Sequence, residues 1–507
     1  MLAHAHTFTL DGPEARHVTV ELDIRPGLPA FTIVGLADTA VRESRERIRT
    51  AIRNCGYEFP ARRITVNLAP GDLPKAGPGF DLAIACALLA ASGQLGQAGL
   101  ERTALYGELA LDGSVRPCSG TLAVAEAARG HGLEAIALAC AAGPEAALLD
   151  GLQVAGVRTL ASAARVLDGG APDELPEAPA LTRRAGGSGP NPDLGEVKGR
   201  HHAVRALILA AAGAHNILLS GAPGTGKTML ARALPSILPE LTRAEAIEVM
   251  RIASAAGLPC GALLRERPFR APHHSISAAG LIGGAGPGRL GEVVLAHRGV
   301  LFLDELAEFS RPVLEALRQP LEDGRVAIAR ARRAAIHPTR FILIAACNPC
   351  PCGYAGEPVG CRCSPAELAR HRRRLSGPLL ERIDLHVALH REAGEDLDAP
   401  ALWSSAEAAE LVRRARERQA ARLPQTGVLV NAELGPSALR RHARLDEGGL
   451  AILARARGAG LLSARGEQRL LRVSRTLADL DGRERVRRRD VAAALALRCE
   501  QQLMRSA

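Results

Sequence analysis

The chain has 507 residues with 64 Lys+Arg against 54 Asp+Glu, a net charge of +10, 47% hydrophobic residues and only 12 aromatics. With 23% charged residues this excludes a disordered chain, and the length suits about three domains. The longest apolar runs, residues 82–91 and 203–214, are too short and Ala-rich to cross a membrane, and so few aromatics argue against recognition by base stacking.

The opening segment, MLAHAHTFTLDG, has no basic stretch leading into an apolar core, so no signal peptide is expected and the chain reads as cytoplasmic. Residues 1–167 read as a mixed α+β domain. Alternation over residues 17–24 and the run 64–68 predict strands. Between them, residues 38–56 have helical periodicity, opening on Asp38 as a cap and stopping at Gly56, and a second helix is predicted over 80–91. Residues 168–192 are dense in Pro, Gly and acid, the composition of a linker. Over 193–394 helices alternate with short apolar strands. The helix at 199–213, the strands at 216–220, 300–305 and 341–346, and a helix opening at Thr228 indicate a parallel α/β sheet. Residues 395–507 show no strand pattern and read as a helical domain, with helices over 406–422, 436–444, 448–457, 465–481 and 488–502. Charge follows these divisions. Residues 1–180 carry 15 basic and 21 acidic side chains, a net of −6, whereas residues 181–507 carry +16, so a polyanionic partner is expected to meet the latter. High Ala, Gly and Arg with little Lys also follows from a GC-rich genome.

GAPGTGKT, that is Gly221, Ala222, Pro223, Gly224, Thr225, Gly226, Lys227 and Thr228, fits the P-loop pattern between a strand and a helix. Its glycines let successive backbone N–H groups point at phosphates, Lys227 reaches the β/γ oxygens of ATP, and the Thr228 hydroxyl ligates Mg²⁺. Lysine occurs only at Lys75, Lys198 and Lys227, against 61 arginines. A guanidinium cannot fill a compact ammonium site, which makes the lysine at 227 diagnostic. GVLFLDEL supplies Asp304 to hold Mg²⁺ through water and Glu305 to polarise the attacking water. The third strand leads to Asn348, placed to orient that water beside the γ-phosphate.

Of eleven cysteines, Cys55, Cys86, Cys118, Cys140, Cys260 and Cys499 are scattered and read as core fillers. Four others, Cys350, Cys352, Cys361 and Cys363, form two C-x-C pairs eight residues apart, with Gly and Pro between to turn the chain. Four thiolates closing a short loop suit a structural Zn²⁺; a redox-sensitive cluster and unliganded thiols are the alternatives.

GAPGTGKT, GVLFLDEL, the strand ending at Asn348 and PLLERIDLHV together resemble the AAA+ ATPases of the magnesium-chelatase and MCM-like branch. NLAPGDLPKAGPGFDL, RPFRAPHHSISAAGLIGG, NPCPCGY and RTLADLDG narrow the resemblance to the ComM/YifB family of magnesium-chelatase-like proteins, over nearly the whole chain. The resemblance implies a homo-oligomeric ring, a hexamer, and a DNA helicase promoting branch migration during recombination or natural transformation. It implies that Arg382 reaches the γ-phosphate bound by the next subunit. It also implies that Arg472 is the sensor arginine of the helical lid, with Arg475 one turn on as the substitute; a solvated helix face is the other reading of Arg472. Residues 265–288 correspond to the family's insertion in helix 2. Residues 324–339 match its hairpin, whose Arg330, Arg332 and Arg333 would face the pore and grip DNA through phosphates. Residues 1–167 resemble the Lon protease domain. Its Ser–Lys dyad would fall at Pro78 or Gly79 and near Leu122, so no peptidase activity is expected, and the domain reads as a structural or partner-binding module. A chelatase-type ATPase subunit that remodels a protein partner for metal insertion is the alternative. The Lon-like domain and the +16 charge favour the DNA motor.

Overall fold

The structure is a computed structural model that describes residues 2–177, 191–258, 263–284, 290–329, 334–357, 360–375, 377–390, 401–422 and 428–506. The first domain is built on a seven-stranded mixed sheet. Its elements in chain order are β1 (Leu2–Asp11), β2 (Glu14–Arg25), β3 (Ala30–Val34), α1 (Thr39–Asn54), β4 (Arg63–Ala69), α2 (Asp81–Ala91), β5 (Thr103–Tyr106), α3 (Thr121–Gly130), β6 (Ala135–Ala139), β7 (Gln153–Val157) and α4 (Leu160–Leu167). The strand order is β3-β4-β2-β1-β5-β6-β7, with β1–β2 and β2–β4 antiparallel and the other pairs parallel.

Alternation drives the long hairpin, where Val18, Val20 and Leu22 are buried on one face. Asp38 caps α1 by accepting from the Val41 N–H at 2.8 Å, and the helix stops before Gly56, whose φ of +82° only glycine adopts readily. Helix α2 is apolar all round and lies buried on every side, packed against the sheet. Where a protease dyad would fall, Gly79 and Leu122 are buried, and the Lys75 ammonium is buried and donates to the Pro70 carbonyl. Residues 168–177 lie along this domain, with Asp173 N–H donating to the Gly156 carbonyl.

The second domain contains α5 (His201–Gly213), β8 (Ile217–Gly221), α6 (Lys227–Ile237), α7 (Arg243–Ala255), β9 (Phe269–Arg270), β10 (Val300–Leu303), β11 (Arg325–Ala329), β12 (Ala334–Pro338), β13 (Ile342–Cys347), α8 (Pro365–Arg374) and β14 (Leu385–Leu389). Its five-stranded sheet runs β9-β10-β13-β8-β14 with every pair parallel, as the short apolar runs predict. The expected hairpin is β11–β12, antiparallel from Arg325↔Pro338 to Ala329↔Ala334. Its tip, with Arg330, Arg332 and Arg333, lies outside the described residues, as does Cys260.

Helices α9 (Ser405–Arg422), α10 (Pro436–His442), α11 (Glu447–Gly458), α12 (Ala464–Leu480) and α13 (Arg488–Ser506) form the C-terminal part. Ala408 and Val412 of α9 and Leu470 and Val473 of α12 join Leu207 of α5 and Ile217 of β8 in one apolar core. Buried polar pairs hold this register: His215 Nε2 lies 2.8 Å from Thr476 Oγ1, and Gln419 donates to the Ala212 carbonyl at 2.9 Å. The first and second domains share a second apolar cluster, in which Leu122 and Val124 of α3 meet Val249 and Met250 of α7. Arg251–Glu126 at 2.7 Å flanks it. No helix among the described residues is long and apolar enough to cross a membrane.

Candidate nucleotide site and cysteine cluster

Strand β8 ends at Gly221 and α6 opens at Lys227, so residues 222–226 form the turn between them. Gly221 is required by a close approach: a Cβ there would lie 2.4 Å from the Leu389 carbonyl oxygen of β14. Thr225 braces the loop from inside, its hydroxyl donating to the Ala222 carbonyl at 2.8 Å. Lys227 Nζ donates to the carbonyls of Gly221 (2.7 Å) and Ala222 (2.9 Å) and to Asn348 Oδ1 (3.2 Å). Burial lowers the Lys227 pKa, opposed by the neighbouring Cys347, Asp304 and Glu305.

Across the loop, Thr228 Oγ1 donates to Asp304 Oδ2 at 3.0 Å. A hydroxyl at a helix start beside a carboxylate at the end of the adjoining strand is a donor set suited to Mg²⁺. Asp304 Oδ1 accepts from the Glu305 N–H at 3.0 Å. Glu305 itself has φ +51°, a left-handed conformation that costs a non-glycine residue about 1–3 kcal/mol. The strained turn leaves its carboxylate exposed, 3.4 Å from His274 Nδ1. The structure therefore brings Lys227, Thr228, Asp304, Glu305 and Asn348 to one edge of the sheet. His274 belongs with them, and sequence reasoning missed its role: it stands in the RPFRAPHHS string, 30 residues before Asp304, and no local spacing links the two.

Arg382 and Arg472 stand elsewhere. The Arg382 carbonyl accepts from Asn216 Nδ2 at 3.3 Å, and Asp384 Oδ2 accepts from the Asn216 N–H at 3.2 Å, both at the start of β8. The phosphate loop leaves the other end of that strand, roughly 13 Å away along it. The Arg382 guanidinium is tied to Glu322 at 2.6 Å and to the Pro378 carbonyl. Arg472 donates to the Leu434 carbonyl at 2.9 Å and lines the same cleft of 620 Å³ as Arg382, Arg465 and Arg469. Neither arginine is brought to the phosphate loop of its own chain. Arg475 is only 1% exposed and bonds Asp479 and the carbonyls of Arg483 and Glu484 within the lid. It staples the lid, which removes it as the substitute sensor.

The four cysteines do converge. The sulfurs of Cys350, Cys352, Cys361 and Cys363 all lie within 4.8 Å of one another, with Sγ–Sγ contacts of 3.3 Å (350–352), 3.6 Å (352–361) and 3.6 Å (361–350). A tetrahedral site with Zn–S of about 2.3 Å has edges of about 3.8 Å, so the four sulfurs have the spread of a metal tetrahedron and are too far apart for disulfides. Backbone N–H groups of Ala355, Cys352 and Cys363 aim at sulfurs of Cys350, Cys363 and Cys361 at 3.3–3.4 Å, donors that favour thiolate. The cluster could hold a metal ion. It also touches the nucleotide loop, because a Cβ on Gly353 would come 2.5 Å from Pro223 Cδ. Downstream, α8 turns His371 inward, where Nε2 donates to the Asn348 carbonyl at 3.0 Å.

A phosphate loop with its lysine, a hydroxyl–carboxylate pair across it and a polar residue on the neighbouring strand, carried on a parallel sheet with a helical lid, define an ATPase of the AAA+ class. Residues 193–397 match the family described as magnesium chelatase, subunit ChlI, residues 20–141 match subunit ChlI of Mg-chelatase, and residues 403–498 match the magnesium chelatase subunit ChlI C-terminal family. Competence protein ComM of Haemophilus influenzae is 42% identical over 503 residues, 97% of this chain and 96% of its own. The Escherichia coli protein YifB is 40% identical over 514 residues, covering 99% and 98% of the two chains, and a Mycobacterium tuberculosis protein is 44% identical over 98% of both. The chain belongs to the ComM/YifB family of magnesium-chelatase-like AAA+ ATPases.

Proposed function

We propose that the protein is a cytoplasmic, ring-forming ATPase, a hexamer, that moves on DNA and promotes branch migration during recombination or natural transformation. The observation that carries the ring is the separation of Arg382 and Arg472 from their own phosphate loop. An arginine at the opposite sheet edge serves a γ-phosphate only when a second copy presents one to it. In this reading Lys227, Thr228 and Asp304 bind MgATP, in which Mg²⁺ supplies charge neutralisation on the phosphates. Asn348 orients the water, Glu305 takes its proton, and Arg382 of the neighbouring copy stabilises the charge that develops. The charge division, −6 on residues 1–180 and +16 on the rest, supports a polyanionic track, as does the name of the competence relative. ATP hydrolysis at moderate salt is expected to rise several-fold on adding forked or four-way DNA, with displacement of a labelled strand. If DNA neither binds nor stimulates, a chelatase-type motor remodelling a protein partner takes its place. That reading draws on the ChlI description shared by all three matched families. Since residues 20–141 also match a ChlI family, the first domain does not separate the two readings.

We also propose that Cys350, Cys352, Cys361 and Cys363 hold a structural Zn²⁺ that braces the phosphate loop through the Gly353–Pro223 contact. Purified protein is expected to contain about one zinc per chain. Cys361→Ser should lose most of it and bind nucleotide more weakly. Well under one zinc in the wild type, or unchanged zinc in the variant, would sink this assignment.

A further inference from the structure

Helix α8 follows the cysteine cluster directly, and four of its last five residues are arginines. Ser364 and Glu367 form a capping box at its start, so the two ends of the helix are anchored differently: the first by the cap and cluster, the last turn by His371 on the Asn348 carbonyl. Facing α8 across a groove of 770 Å³ is the segment that continues from the Asp304–Glu305 turn. Arg311 and Arg318 line one wall, and Arg370, Arg373 and Arg374 the other. Two carboxylates offset two of these five charges: Glu308 pairs with Arg374 at 3.3 Å and Glu315 with Arg318 at 2.5 Å.

The other three are held more loosely. Arg311 is 88% exposed and reaches Glu315 only at 4.0 Å. Arg370 feels the charge of Glu367, three residues back on α8 and outside the groove lining, and neither Arg370 nor Arg373 has a carboxylate within 4 Å among the described residues. Arg370 and Arg373 are exposed and stand three apart in the helix, so they share a face. Parallel rows of forked, permanently charged donors with a net charge of +3 match a phosphodiester chain, whose oxygens each fork can take bidentately. Ala307, Phe309 and Pro378 are the apolar lining, with no array of aromatics for bases to stack on, so recognition would run through phosphates.

We propose that this groove is a DNA-backbone site separate from the β11–β12 hairpin, and that α8 couples it to Asn348. The inference rests on the DNA reading above and adds the place where the strand lies. Phosphates captured by Arg370 and Arg373 pull on the helix whose His371 holds the Asn348 carbonyl, and Asn348 Oδ1 accepts from Lys227. The opposite wall is continuous with the Glu305 turn. DNA bound here therefore bears on both sides of the hydrolytic centre.

The test uses the full-length protein and fluorescence anisotropy with a fluorescein-labelled oligo(dT) and a labelled four-way junction, each titrated across salt. Arg370→Ala/Arg373→Ala is expected to weaken binding at least tenfold at moderate salt. It should also flatten the salt slope on the single strand by about 1.4, or about 0.7 per lost phosphate contact. Arg370→Lys/Arg373→Lys should recover most of the affinity, and hydrolysis without DNA should match wild type in both variants. If wild type binds DNA and the alanine variant binds within twofold with an unchanged slope, the groove assignment is wrong while the DNA reading stands. If the variant fails to assemble but the remaining species binds DNA normally, the groove is a contact between copies and the assignment is again overturned. If wild type binds neither probe, the DNA reading itself falls and takes the groove with it.

Discussion

Lys227→Ala is expected to abolish nucleotide binding and to lower ATP turnover per unit substrate by at least about 10³-fold, with the fold intact. The ammonium is held by two loop carbonyls at 2.7 and 2.9 Å and by Asn348 at 3.2 Å, so it sits between the phosphate loop and the residue that follows β13. Removing it leaves three acceptors facing phosphate oxygens with no cation between them, and repulsion replaces attraction. Melting temperature should change little, because burying the lysine itself costs desolvation free energy, as its lowered pKa reports. Lys227→Arg is not a rescue: a planar guanidinium cannot enter a pocket closed by two carbonyls that close together. A fluorescent ATP analogue and steady-state hydrolysis provide the measurement. Retained nucleotide affinity within tenfold would mean that the loop binds phosphate by its backbone alone.

Glu305→Gln is expected to separate binding from turnover. The carboxamide keeps the shape, leaves the Glu305 N–H on Asp304 and leaves the Thr228–Asp304 pair untouched. Nucleotide affinity should stay within a few-fold, whereas hydrolysis should drop about 10²–10⁴-fold because the group can no longer accept a proton. The strained φ of Glu305 makes the effect specific to this side chain, since the turn aims it into the open beside His274. Single-turnover hydrolysis compared with equilibrium binding decides it. Turnover within tenfold of wild type would move the role of base to another residue, with His274 next to it.

The phosphate site was legible because it is local. Eight consecutive residues shape the loop, and a strand run before and a helix after fix its context, so Gly221 to Thr228 needed no tertiary information. Helix α12 was legible for the same kind of reason: a long segment with helical periodicity was expected over 465–481 and runs Ala464–Leu480. The first sheet was less so. Only β2 and β4 among its seven strands were expected, because TALY at β5 and AIALA at β6 are short buried runs without alternation, which read equally well as helix. In β1 the histidines sit at the half-buried positions of a strand whose alternation was there to be read. Strand β14, LHVAL, was not expected at all, although it pairs directly with β8 and its Leu389 carbonyl is what makes Gly221 necessary.

The amino-acid sequence by itself determined the phosphate-loop motif, the acids that follow β10, the identity of the arginines and the four-cysteine pattern. Each is a property of adjacent residues or of short spacing. Only the tertiary structure decided which edge of the sheet each group occupies. It put His274 beside Glu305 and His371 beneath Asn348, and it set Arg382 and Arg472 away from their own phosphate loop. It withdrew Arg475 into the lid as a staple, although the helix offered it and Arg472 one turn apart. The physical reason is the same throughout. Non-local packing sets these positions, as where α9 and α12 close over α5 on a shared apolar core, or where Leu306 and Phe309 pack with Ile276 in another, and no periodicity within a single segment encodes which surface that segment will cover.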